Sequence, residues 1–237
     1  MTSSLAHRIE AIDWQAIATD LDGQGWALVP GLLSVLECTG LIGLYDREDG
    51  FRKQVVMERH GYGRGDYKYL SYPLPGPVAA LRENLYPPLA RIANGWNGAL
   101  GVDVRFPDVH ADFLRRCHEA GQRRPTPLLL RYGAGDYNHL HQDLYGEQVF
   151  PLQAAFLLSS PQDDFTGGEF VLTEQRARMQ SRVEVVPLRQ GDGVIFPVNQ
   201  RPVRGVRGIS RAVMRHGVSR LRSGARFTLG VIFHDAA

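Results

Sequence analysis

Residues 150–172 read FPLQAAFLLSSPQDDFTGGEFVL: an apolar run, a cluster of Ser, Pro, Asp and Gly, then a second short apolar run. That is a strand, a turn and a strand, because Pro and Gly punctuate chain that short apolar runs extend. The unit recurs on both sides. LLLRY (128–132) precedes it, and VEVVPL (183–188), GVIFPV (193–198), AVMRHGV (212–218) and RFTLGVIF (226–233) follow it. GAGD, RQGDG and LRSGA separate them. Seven or eight short strands so punctuated predict a sandwich or jelly roll.

Upstream the period changes. Leu5, Ile9, Ile12, Ala16 and Ile17 recur at helical spacing, and GWALVP (25–30) reads as a short strand. Leu32, Leu33, Leu36, Leu41 and Leu44 predict a second helix. Leu81, Leu85, Leu89, Ile92 and Trp96 predict a third, broken or restarted at Pro87 and Pro88, since proline removes a helical hydrogen bond. GYGRGDYKYLSYPLPGP (61–77) reads as a long ordered loop and PDVHADFLRRCHEAG (107–121) as a helix. The expectation is one α+β domain over 1–237: mainly helical support in 1–126, and a double-stranded β-helix (jelly roll) core in 127–237 buttressed by the N-terminal helices.

Composition narrows the class. Hydrophobic residues make up 43% and charged residues 22% of 237, ordinary for a globular protein. No apolar run approaches the roughly 20 residues of a membrane helix, and the charged N-terminus argues against an export signal. Cys38 and Cys117 are the only cysteines, which excludes a disulfide scaffold or a Cys-rich zinc site and favours a reducing cytoplasm. Net charge is +2, yet 201–226 holds eight arginines and no Asp or Glu.

His-x-Asp occurs twice. His110 and Asp112 fall in the predicted helix, where positions two apart point about 200° from each other, so they cannot grip one ion; His110 reads as helix surface. His141 and Asp143 end a strand, where the same spacing points one way. His139 shares that strand face and reads as a packing or orienting residue. His216 lies 73 residues beyond Asp143, and Arg226 ten residues further, with Thr228 on the arginine's face. If the runs holding His216 and Arg226 formed a hairpin, the two side chains would lie nearly opposite each other; if consecutive strands switch sheets, they face across the interior. Two imidazoles and one carboxylate with open positions form the ligand set of non-haem Fe(II) oxygenases. A guanidinium fork suits a carboxylate-bearing co-substrate. Zinc hydrolases use the same ligand types, but they need no such arginine and hydroxyl, and no Glu base adjoins a ligand.

RYGAGDYNHLHQD (131–143), TGGEF (166–170), RQGDGVIFP (189–197) and HGVSRLRSGARFTLGVIF (216–233) together resemble the Fe(II)/2-oxoglutarate-dependent dioxygenase superfamily over residues 127–235. The pattern is closest to the prolyl-hydroxylase-like branch, and more narrowly to a bacterial family catalogued as oxygenases acting on damaged nucleic acid. The resemblance implies that His141, Asp143 and His216 hold Fe(II). It implies that 2-oxoglutarate sets its far carboxylate on Arg226 and Thr228, with O2 as oxidant. Tyr132 matches a tyrosine of the co-substrate pocket; a half-buried sheet tyrosine is the other reading.

Substrate stays open at this level. Oxidation of an N-methyl group on a nucleobase would use Arg201–Arg222 on phosphates and Tyr62, Tyr67, Tyr69 and Tyr72 on bases. A prolyl or other peptidyl hydroxylase would use 61–77 as a lid. A small-molecule hydroxylase is a third reading. A non-catalytic jelly-roll binding module is the non-enzymatic one, and retention of all three ligands and Arg226 argues against it.

Overall fold

The computed structural model describes residues 3–206 and 208–237. The first half holds helices α1 (Leu5–Glu10) and α2 (Trp14–Gly23), strand β1 (Ala27–Val29), helix α3 (Val35–Ile42) and strands β2 (Phe51–Val56), β3 (Gly63–Arg64) and β4 (Asp66–Leu70). Helices α4 (Gly76–Ala99) and α5 (His110–Glu119) complete it. Then follow β5 (Leu128–Gly133), β6 (Tyr137–His141), β7 (Leu152–Leu157), β8 (Phe165–Gly167) and β9 (Phe170–Gln175). Last come β10 (Arg182–Val186), β11 (Gly193–Pro197), β12 (Gln200–Gly205), β13 (Gly208–Val218) and β14 (Leu221–Ile232).

Two antiparallel sheets result. The larger runs β1-β11-β7-β14-β5-β4-β2, with β8 also on β14; the smaller runs β10-β9-β13-β6-β3, with β12 on β13. The successive strands β13 and β14 therefore lie in different sheets, which is the sheet-switching alternative of the two. Strand β7 is buried on both faces, so it reads as a continuous apolar run. Its Ala154 and Phe156 meet the helices, packing with Leu81, Leu85 and Leu89 of α4; Ala155 and Leu157 face the second sheet and pack with Phe170 and Leu172. The interior between the sheets is where the site forms.

The first half, expected to be mainly helical support, also supplies strands to both sheets. Two expectations need correction. The 61–77 segment is not one long loop, because Asp66–Leu70 pairs with β2 and β5, and Gly63–Arg64 with β6. It is wall, held on both sides. Helix α4 runs unbroken through Pro87 and Pro88. The carbonyls these prolines leave unbonded belong to the exposed Glu83 and half-exposed Asn84, while Leu81, Leu85, Leu89, Ala93 and Trp96 hold the helix by burial. Among the described residues, no helix is long and apolar enough to cross a membrane.

Candidate active site

Strands β6 and β13 are antiparallel, and His141 and His216 are direct register partners. Partners in an antiparallel pair leave the sheet on one face, and the two rings sit 4.2 Å apart between centroids. Asp143 follows just past the end of β6. Its Oδ2 lies 3.3 Å from His216 Nε2 and its Oδ1 3.6 Å from His141 Nε2. One donor atom from each of the three residues falls within 4.8 Å of the others.

A one-residue slip explains why His139 is not a fourth member. His216 faces His141 but Val218 faces Asn138, so His139 and Leu140 together oppose Gly217. Such a bulge re-aims side chains, and His139 turns out to the surface, against Tyr137. Its carbonyl instead accepts from His141 Nδ1 at 2.8 Å. In the neutral imidazole this leaves Nε2 as the bare nitrogen. That lone pair faces a carboxylate oxygen, an arrangement that a cation between them would relieve. Burial alone would raise the Asp143 pKa, but the hydrogen bond from His216 and the charges of both histidines hold the carboxyl well below the usual range. Burial, then His141, pushes His216 down towards its neutral, ligating form. The donor set therefore fits a divalent cation of the iron–zinc class.

The opposite wall comes from the larger sheet. Arg226 on β14 is the register partner of Tyr132 on β5, and Thr228, two residues on, shares its face. Arg226 Nη1 donates to Thr228 Oγ1 at 2.6 Å. Tyr132 is fully buried, its hydroxyl pushed up to about 12 by burial. Arg226, Thr228 and Tyr132 line one cavity of about 540 Å³ with His141, Asp143 and His216.

Arg226 is the informative residue of that wall. Arg82 and Arg201 are also buried, but each meets a carboxylate: Asp235 at 2.7 Å and Glu174 at 2.8 Å. Among the described residues Arg226 pairs with no carboxylate, and its Nε has no partner. Burial pushes its pKa down to about 10. A buried guanidinium lining a cavity suits an anion.

The remaining candidates of the sequence fall in different places. His110 is helical but buried, not on the surface: its ring lies against Tyr86 and its Nε2 meets the Phe233 carbonyl at 2.8 Å. The Arg201–Arg222 region is not one solvated cluster. Arg201 is buried against Glu174, Arg204, Arg211, Arg215, Arg220 and Arg222 are exposed, and Arg207 lies outside the described residues. Tyr62, Tyr67 and Tyr69 line the cavity, whereas Tyr72 anchors Asp235 and Arg82 elsewhere.

Two residues escaped the sequence reading. Tyr145 Oη donates to Asp143 Oδ1 at 2.8 Å. Gln153, 2% exposed, places Nε2 3.3 Å from His216 Nε2, and its Oε1 has no partner among the described residues. A lone glutamine inside the apolar FPLQAAFLL run was the available signal.

Residues 65–236 match a family model described as "Oxygenase, catalysing oxidative methylation of damaged DNA". Two uncharacterized proteins of Mycobacterium tuberculosis, strains CDC 1551 and H37Rv, are each 52% identical over 165 residues, covering 70% of this chain and 71% of theirs. Among solved structures, a Pseudomonas putida prolyl-4-hydroxylase aligns at TM-score 0.52 and 14% identity, over 92% of this chain and 96% of that one. A 2OG-Fe(II) oxygenase family oxidoreductase from Burkholderia pseudomallei aligns at TM-score 0.53 and 15% identity, over 96% and 94%. At such identities these two speak to fold alone.

Proposed function

From the premise that this chain belongs to the Oxygenase-NA family, matched over residues 65–236, we propose that it is an Fe(II)/2-oxoglutarate-dependent dioxygenase whose substrate is a damaged, alkylated nucleobase in DNA. The two sheets are then the faces of a double-stranded β-helix. His141, Asp143 and His216 hold Fe(II). Arg226 carries the reading: a buried cation that meets no carboxylate among the described residues, in the same cavity as the triad, takes the far carboxylate of 2-oxoglutarate.

Bound there, Fe(II) with O2 and 2-oxoglutarate supplies the oxidation that turns C–H into C–OH as 2-oxoglutarate becomes succinate and CO2. The chain's own residues orient and exclude. Thr228 fixes the guanidinium through its hydrogen bond, and Tyr132 walls the same pocket. Phe170 and Phe196 pack against the His216 ring, shielding that side from water. On an N-methyl group the product hydroxymethyl collapses to formaldehyde and N–H.

The DNA reading draws on the family description and on the cavity wall. Tyr62 is 49% exposed and stacked on His60 at 5.4 Å, and both line the cavity with Lys53. Aromatic faces with a nearby cation suit a base and its phosphate. The test is succinate release from 2-oxoglutarate with Fe(II), with methylated single-stranded oligonucleotides in one arm and proline-containing peptides in another. Stimulation by the oligonucleotides supports the reading; stimulation by peptides alone overturns the substrate. No succinate from folded, iron-loaded protein overturns the dioxygenase.

A further inference from the structure

Resting on the metal centre proposed above, we infer that Tyr145 is a positioning residue for Asp143, and that Tyr69 sets Tyr145 in turn. Asp143 lies beyond the last residue of β6, so the strand that orients His141 does not extend to it. An ionised carboxylate offers about four lone-pair sites and swings readily between one-oxygen and two-oxygen binding. Tyr145 removes that freedom. Its Oη donates to Asp143 Oδ1 at 2.8 Å, which fixes the carboxylate's rotation with Oδ1 3.6 Å from His141 Nε2 and Oδ2 3.3 Å from His216 Nε2.

The phenol is itself held. Tyr69 Oη donates to Tyr145 Oη at 3.1 Å, so the Tyr145 proton is directed at Asp143. The Tyr145 carbonyl accepts from Gln122 Nε2 at 2.9 Å, and the buried Gln122 also accepts from Gln148 N at 2.7 Å. Gly146 has φ +102, and a Cβ there would stand 2.5 Å from Gln122 Cδ. Glycine thus lets the chain turn closely over Gln122 straight after Tyr145. A line of contacts runs from the end of α5 through Gln122 and Tyr145 to one carboxylate oxygen. Outer partners of this kind set ligand orientation and metal affinity.

The experiment is a Co(II) titration of the full chain, read by calorimetry and by the d–d absorption bands, for wild type, Tyr145→Phe, Tyr69→Phe and Asp143→Ala. Tyr145→Phe should bind Co(II) about 10- to 100-fold more weakly, with altered band intensities that report changed coordination. Tyr69→Phe, which keeps the Tyr145–Asp143 contact, should show a smaller loss and a spectral change in the same direction. Tyr145→Phe within about twofold of wild type, with an unchanged spectrum, overturns the inference. Should Tyr145→Phe fail to fold, Tyr69→Phe decides: wild-type affinity and bands overturn it equally. A wild type that takes up no Co(II), or an Asp143→Ala variant that binds it normally, overturns the metal centre itself, a different result.

Discussion

Replacing Arg226 by methionine should stabilise the ligand-free protein while abolishing its response to 2-oxoglutarate. Burial lowers the guanidinium from an ordinary value near 12.5 to about 10. At about 1.4 kcal/mol per pKa unit, that is a folding penalty of about 3 kcal/mol. It is present in full below pH 10, where the group is charged in both folded and unfolded chain, and it fades as pH rises from 10 to 12.5. Methionine removes the penalty but leaves the Thr228 hydroxyl, 4% exposed, without its donor, which costs about 1 kcal/mol. A net gain of about 2 kcal/mol corresponds to a Tm about 4–8 °C higher for a chain of this size. The same change leaves a bound carboxylate buried without its partner, costing about 2–5 kcal/mol, or roughly 30- to 4,000-fold in affinity. Thermal scans with and without 2-oxoglutarate read both effects. A Tm that falls in the variant, with the ligand-induced rise retained, would refute the reasoning, because Arg226 would then have another partner.

His141→Ala and Asp143→Ala should each abolish Fe(II)-dependent succinate release, whereas His110→Ala should leave Co(II) binding intact and lower stability by about 2–3 kcal/mol; a loss of metal in the last variant would reassign the site. His110 and His234 are each held by burial at about 4, against an ordinary 6.5. The unfolded chain takes up protons that the folded one refuses, so stability is complete above pH 6.5 and is lost as pH falls to 4, by about 3 kcal/mol for each histidine. Urea midpoints that stay level across that window would contradict this. Gly217→Ala puts a Cβ 2.7 Å from the Asn138 carbonyl oxygen and 3.2 Å from that of His139. Strand β6 must then yield at a cost of about 1–3 kcal/mol, parting His141 from His216, and Co(II) affinity should drop; unchanged affinity would show that the bulge tolerates the methyl.

The strands that surround the site were legible because their apolar runs are short and sharply punctuated, and His141, Asp143, His216 and Arg226 all sit on or beside such runs. Strand β4 was hidden by its neighbours: Tyr67 and Tyr69 do alternate, but Gly63, Gly65, Pro73 and Pro75 around them read as turn. Strand β12 (QRPVRG) carries too little apolar pattern, and its proline fits because among the described residues it pairs with β13 alone. Helix α4 overrides two prolines: the spacing of Leu81, Leu85, Leu89 and Trp96 shows in the sequence, but how deeply the core buries them does not. His110 reads as superficial because a helix surface and a helix face turned to the core share one spacing; the Phe233 carbonyl and the Tyr86 ring distinguish them. Tyr145 was unreadable for a similar reason, since its partner is fixed by where the chain turns at Gly146.

Strands β1 and β2 end before residue 65, where the family match begins, yet they flank the larger sheet at its two sides. The matched stretch is therefore not a severable module. Cut at residue 65, it would bare the ladder groups of β11 along Gly193–Ile195 and of β4 along Asp66–Leu70. It would also lose the turn in which Gly31 N binds Asp192 Oδ1 at 2.7 Å. Two open sheet margins are templates for intermolecular strand addition, so a trimmed recombinant version should aggregate even with every metal-facing residue intact.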